Sequence, residues 1–300
     1  MFPKLSKNDK NRLITFIAII ILAIVSFFYE KYENAKDAKA QKELLDGGYN
    51  IVHYLDAGQG DCTLIETVDG KFALIDASTQ DSSSKIISYL QSRGAKKLEF
   101  VIFTHPHEDH IGCGDEVLQN FEVGVVYMNQ EEETTASYEK LIREIKNSKK
   151  KHGTKVEMPE NGDVFKLGDI SFTVVSDGSK YYDNTNNTSI CVKMELGESE
   201  FLFTGDAEKA VEQDILKSGA DIDSDVFKCG HHGSSTSNSE DFLDAVSPKI
   251  CVASCGIDND YGHPHVEVVE SLLERDIILK RTDTDGDVLI AFNNETMVIL

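Results

Sequence analysis

His105-Pro106-His107-Glu108-Asp109-His110 places three imidazoles and two carboxylates within six residues. The apolar run Phe100-Val101-Ile102-Phe103 precedes it and reads as a buried strand. Thr104 ends that run, and Ile111-Gly112-Cys113-Gly114 follows the cluster. The donors therefore stand on a turn at the carboxyl end of a strand, where open α/β sheets place their chemistry. Neutral imidazole and carboxylate are both ligands for divalent ions. Three of the nine histidines fall in this one stretch, so chance polarity of a surface loop is a poor account of it.

Three later stretches repeat the pattern of a short apolar strand ending in metal-competent residues. Phe201-Leu202-Phe203 leads to Asp206, Val226-Phe227 to His231-His232, and Val252-Ala253 to His263. Four such ends in series predict strand ends converging on one cleft. Strands come in runs early in the chain and alternate with helices later. Two sheets with helices outside each would bury both apolar faces. Gly58-Gln59-Gly60-Asp61 joins two strand-like runs, and as a turn it asks only for residues tolerant of positive φ.

The His-x-His-x-Asp-His pattern after a hydrophobic strand resembles the signature of metallo-β-lactamase-fold hydrolases. That likeness covers residues 49–300 and implies a four-layer αββα sandwich of the α/β or α+β class. It implies two divalent ions, zinc or manganese. His105 and His107 would bind the first, Asp109, His110 and His263 the second, and Asp206 would bridge them. His231 and His232 are left as either ligands or proton donors, and with Asp109 they are the catalytic candidates. Asp61 and Asp76 are either outer carboxylates that orient imidazoles or plain turn residues. Ser234 and Tyr261 are candidates for touching substrate.

The further first-site histidine of many such proteins has no counterpart between His110 and Asp206, where only exposed-looking His152 stands. The loop before the next strand offers Asp183, Asn184, Asn186 and Asn187 instead, and either solvent or Asn187 would fill in. The cluster, together with Asn186-Asn187-Thr188-Ser189, Thr204-Gly205-Asp206, His231-His232-Gly233-Ser234 and Tyr261-Gly262-His263-Pro264, resembles the hydrolase domain of ComEC-type DNA-uptake proteins. The resemblance implies a metal-dependent phosphodiesterase or nuclease working through a hydroxide held between the ions. The partner expected is a nucleic acid, a nucleotide or a cell-envelope phosphodiester. Hydrolysis of a lactam, lactone or thioester is the second reading. A metal-binding module without turnover is the third.

Composition narrows the partners. The formal net charge is −22, and residues 1–45 hold eight Lys/Arg and five Asp/Glu, which leaves −25 on the remainder. Such a surface argues against a broad phosphate-binding face. The six cysteines lie in or beside apolar runs and read as small buried residues.

Residues 1–12 form a basic tail, and residues 13–29 form an uncharged apolar run. As a helix that run spans about 25 Å, the lower limit for crossing a bilayer. No small-residue cleavage site follows closely, so the reading is a transmembrane signal anchor with the catalytic domain outside the cell. Cleavage would make the protein secreted. Residues 30–48 read as a charged linker, and residues 49–300 as the hydrolase-like domain.

Overall fold

The computed structural model describes residues 15, 16, 19, 20, 22–26, 36 and 38–300. The chain divides into two compact units, Met1–Gly48 and Tyr49–Leu300. Residues 1–12, the expected basic tail, lie outside the described residues. Of the expected membrane span 13–29, residues 15, 16, 19, 20 and 22–26 are described, and they are helical and exposed. Among the described residues no helix is long and apolar enough to cross a membrane. Residues 38–46, in the expected linker, are helical and end at Gly47-Gly48.

Among the described residues of the second unit, the strands form two sheets, of eight and seven strands. The first runs, in spatial order, Met297–Ile299, Val288–Phe292, Asn50–Tyr54, Thr63–Glu66, Phe72–Ile75, Lys97–Phe103, Glu122–Met128 and Lys155–Glu157. The second runs Ile278–Arg281, Ile250–Ala253, Val226–Lys228, Ser199–Phe203, Cys191–Leu196, Ile170–Ser176 and Val164–Leu167. Side chains alternate as strand geometry requires. Phe201, Phe203, Val226 and Val252 face the core between the sheets. Leu202, Phe227, Cys251 and Ala253 face the helices Lys209–Ser218, Glu240–Val246 and Val266–Glu274. The first sheet is covered likewise by Ser83–Ser92, Gly114–Asn120 and Ala136–His152. The αββα sandwich expected from the sequence is the observed architecture, and all six cysteines are free and buried.

Parallel pairing positions the chemistry. Phe72–Ile75 and Lys97–Phe103 run parallel, as do Ser199–Phe203, Val226–Lys228 and Ile250–Ala253. Each parallel set brings its carboxyl ends to one edge, and those ends are followed by Asp76, His105, Asp206, His231 and Ser254. The expected histidine turn is itself partly coiled: Glu108–Ile111 forms one helical turn, with His107 O accepting from His110 N and Ile111 N.

A buried polar knot ties the first sheet to its helices away from the cleft. His53 Nδ1 lies 2.9 Å from Tyr89 Oη, and its Nε2 lies 3.2 Å from Glu66 Oε2. Arg93 donates to the same Glu66 oxygen at 2.8 Å. Burial pushes the His53 pKa below its ordinary 6.5, although Glu66 pulls it up. The unfolded chain therefore takes up this proton first. Stability from His53 is present above about pH 6.5 and is lost as pH falls through the folded value. Urea unfolding at about pH 7.5 and about pH 5.5 checks this: the loss, at most about 1.4 kcal/mol per pH unit, should be larger in the wild type than in His53→Gln. Equal losses would sink the assignment.

Candidate metal centre

The centre is built from backbone ties outward. Asp76 accepts from Thr104 N and from Thr104 Oγ1, each at 2.8 Å, and its Oδ2 lies 2.8 Å from His110 Nδ1. One carboxylate thus ends the central strand and aims the His110 ring. Asp61 N donates to Asp109 O at 2.9 Å. A Cβ at the neighbouring Gly60 would lie 2.5 Å from that same carbonyl, so the Gly-x-Gly turn serves close approach to the donor loop. Gly205, at φ +51, likewise crosses with its Cβ position 2.8 Å from Thr104 Oγ1. Asp206 N then donates to Ser189 Oγ at 3.1 Å. His231 and His232 both adopt left-handed backbone, at φ 51 and 55, in the turn directly after the strand. Such conformations are costly for non-glycine residues and cluster at functional sites.

Ligand atoms of Asp109, His110, Asp206 and His232 lie within 4.8 Å of one another. His232 Nε2 is 3.2 Å from Asp109 Oδ2 and 3.5 Å from Asp206 Oδ2. His110 Nε2 and Asp206 Oδ1 stand 3.2 Å apart, both buried and neither with a hydrogen-bond partner. Beside them, His105 Nε2 lies 3.1 Å from His107 Nδ1 and 3.9 Å from Asp206 Oδ2. Buried donor atoms that converge and leave His110 Nε2 and Asp206 Oδ1 without a hydrogen bond are what a cation site requires. The residues therefore fit divalent ions: soft enough for zinc through the imidazoles, and oxygen-rich enough for manganese.

Charge tells the same story. Burial would lower the His110 pKa, but Asp206, Asp76 and Asp109 raise it well above the usual histidine range. His232 behaves alike, through Asp206 and Asp61. Burial would raise Asp206, but His110 and His232 hold it well below the usual carboxylate range. The carboxylates thus place around these rings the negative charge that bound cations would offset.

The structure departs from the sequence-based roles at His263, Asn187 and Ser234, and it puts His232 among the donors, one of the two roles left open for it. His232, rather than His263, joins Asp109, His110 and Asp206. The short left-handed turn carries His232 straight over the strand ends. The longer loop of His263 is instead held in the cleft wall by Asn259, whose side chain bonds both backbone groups of His263. The His263 ring lies 6.0 Å from that of His232, centroid to centroid, and its pKa is pushed down to about 4, by burial first and then by His232 and His231. Asn187 does not face the cleft; its Oδ1 accepts from Glu208 N at 2.9 Å. The cleft residue is Asn186, with Nδ2 3.4 Å from His231 Nε2 and a buried, partnerless Oδ1. Ser234 is buried, with Oγ 3.1 Å from Thr236 Oγ1.

Tyr261 does line the cleft. It is 66 % exposed, and its ring lies over His263 at 5.5 Å. The cleft encloses about 520 Å³, with Glu108 and Glu133 on its acidic wall. Lys228, which hydropathy does not single out, lies buried beneath the site 2.9 Å from Asp61 Oδ2.

Two packed sheets between helices, with imidazole and carboxylate donors at the strand ends, define the αββα class of metal-site proteins. The chain belongs to the metallo-beta-lactamase superfamily, whose family model matches residues 55–256. Members of that superfamily are in general metal-dependent hydrolases. Curated relatives include ComE operon protein 3 of Bacillus subtilis, 30% identical over 81% of this chain and 33% of that protein. Competence protein ComA of Neisseria gonorrhoeae is 28% identical over 77% of this chain and 30% of that protein. Recombination protein 2 of Haemophilus influenzae is 30% identical over 83% and 29%. The chain thus spans about a third of the length of these relatives.

Among solved structures, the metallo-beta-lactamase fold protein YhfI from Bacillus subtilis superposes with a TM-score of 0.54 at 13% identity, over 81% of this chain and all of that one. CmlA, a diiron beta-hydroxylase from Streptomyces venezuelae, gives 0.53 at 11% identity over 81% of this chain and 54% of that one. Both show a common fold.

The geometry separates two histidines by experiment. His232→Ala should weaken zinc binding by at least about tenfold, and His263→Ala should leave it within about twofold. Calorimetric titration of each variant measures this, and the reverse order would contradict the grouping.

Proposed function

We propose that this chain is a metal-dependent phosphodiesterase or nuclease, tethered to a membrane through residues 13–29 with its catalytic domain on the outer side. The observation that carries the catalytic reading is the converging set of partnerless buried donors at the floor of an open cleft. Relatives named for competence and recombination favour a nucleic acid or a piece of one. The tether rests on the sequence alone.

His105 and His107 would hold one ion and Asp109, His110 and His232 another, with Asp206 shared. When bound, such ions supply charge to a phosphoryl oxygen and acidify water. The protein's own groups do the rest. Asp76 fixes the His110 ring from behind. His231 is 21 % exposed at the cleft mouth and lies outside the tight donor group. Its Nδ1 lies 3.1 Å from Thr236 Oγ1 and 3.6 Å from Glu208 Oε1. That placement suits proton exchange at the leaving-group oxygen, with Glu208 stabilising the protonated ring. The exposed face of Tyr261 offers a flat surface for a ring of the substrate.

Electrostatics sets the substrate length. The acidic wall and the charge of −25 outside residues 1–45 repel a long polyanion, and the repulsion extends about 10 Å at 0.1 M salt. A dinucleotide or a chain end meets less of it.

With manganese or zinc, the full chain should cleave a phosphodiester reporter, bis(p-nitrophenyl) phosphate, and leave a lactam reporter intact. His231→Ala should lower kcat by about 10²–10⁴-fold. Lactam cleavage instead would favour the second hydrolase reading, and metal binding without any turnover would favour the binding module. Salt gives a separate check. Raising it from about 0.05 to about 0.2 M should speed cleavage of long DNA relative to a dinucleotide, because screening relieves repulsion. A basic-track nuclease would show the opposite sign.

A further inference from the structure

Lys228 ends the strand Val226–Lys228, paired on both sides with Phe203 and Val252, and its side chain is only 2 % exposed. A buried ammonium is costly unless it is paired and hydrogen-bonded. Its Nζ lies 2.9 Å from Asp61 Oδ2 and donates to Cys229 O at 3.1 Å. The other Asp61 oxygen lies 3.1 Å from His232 Nδ1, and Ser254 O faces the same nitrogen at 3.0 Å. Two acceptors and no donor surround Nδ1, so Nδ1 carries the proton and Nε2 is turned toward Asp109 and Asp206.

We propose that Lys228 is a positioning residue of the metal centre: its ammonium holds the Asp61 carboxylate against His232, and so fixes which ring nitrogen a divalent ion meets. Asp61 Oδ1 has no well-formed hydrogen bond of its own, so the carboxylate takes its orientation from Lys228. The backbone of Asp61 is already tied to Asp109 O and Ser78 N, which leaves side-chain direction as the one freedom to fix. Lys228 pairs with none of Asp109, His110, Asp206 and His232 directly and acts through Asp61, one residue removed from the ring it orients.

This role rests on the reading that Asp109, His110, Asp206 and His232 bind a divalent ion. The test is cobalt(II) titration of the full chain, read by visible absorption and by equilibrium dialysis. Lys228→Met should weaken cobalt binding by about 10–100-fold and alter the visible bands. In a double-mutant cycle with Asp61→Asn, adding Lys228→Met should cost no more than Asp61→Asn alone. The doubly neutral variant also stands in should Lys228→Met fail to fold, because it leaves no unpaired buried charge. Lys228→Met with wild-type affinity and bands would overturn the role, as would losses that simply multiply in the double variant. A wild-type chain that binds no cobalt would overturn the reading of the site itself, which keeps the two failures apart.

Discussion

Charge balance among buried groups at the floor of the cleft is the constraint on which the rest of this structure depends. Asp61, Asp76 and Asp206 are buried, and Asp109 stands at the edge of the same space. Carboxylates gather there only where opposite charge or hydrogen bonds offset their desolvation. Here each is matched: Asp61 to Lys228 and His232, Asp76 to His110 and Thr104, Asp109 to His232, and Asp206 to His110. The matched partners come from both sheets, so the centre also bridges the two halves of the sandwich. A binding site of this kind is an interface of the fold with itself.

The architecture follows from that need. Parallel strands are buried on both faces and demand helices on the outside. That accounts for near-continuous apolar runs such as Phe201-Leu202-Phe203, whose alternate residues face different cores. It also forces polar residues to the strand ends, the only places where backbone leaves the sheet and side chains reach a cleft. The polar knot of His53, Glu66, Tyr89 and Arg93 shows the alternative, in which a buried charge inside a strand is neutralised locally and carries no site.

Much of this was legible in the sequence, because the first donors are local: His105, His107, Asp109 and His110 follow one strand within six residues. The strand-end rhythm carried Asp206 and the His231-His232 pair as well. What escaped reading depends on backbone conformation. Asn186 and Asn187 differ only in which way a short 3-10 turn faces them. His232 and His263 follow adjacent strands, and only the left-handed turn decides which reaches Asp109. Lys228 carried a signal that hydropathy hides, a lysine set between Phe227 and Cys229 at the end of a strand just ahead of paired histidines.

Gly60 has a consequence of a different kind. It bears no donor and touches no substrate, yet any side chain there would press on the carbonyl of Asp109 and on Ser78 Oγ. In an exhaustive mutational scan, this chemically silent position should therefore score alongside the donors themselves. Intolerance to substitution in this fold thus maps crowding as well as chemistry, and what tells the two apart is whether a position carries a donor or only a close backbone contact.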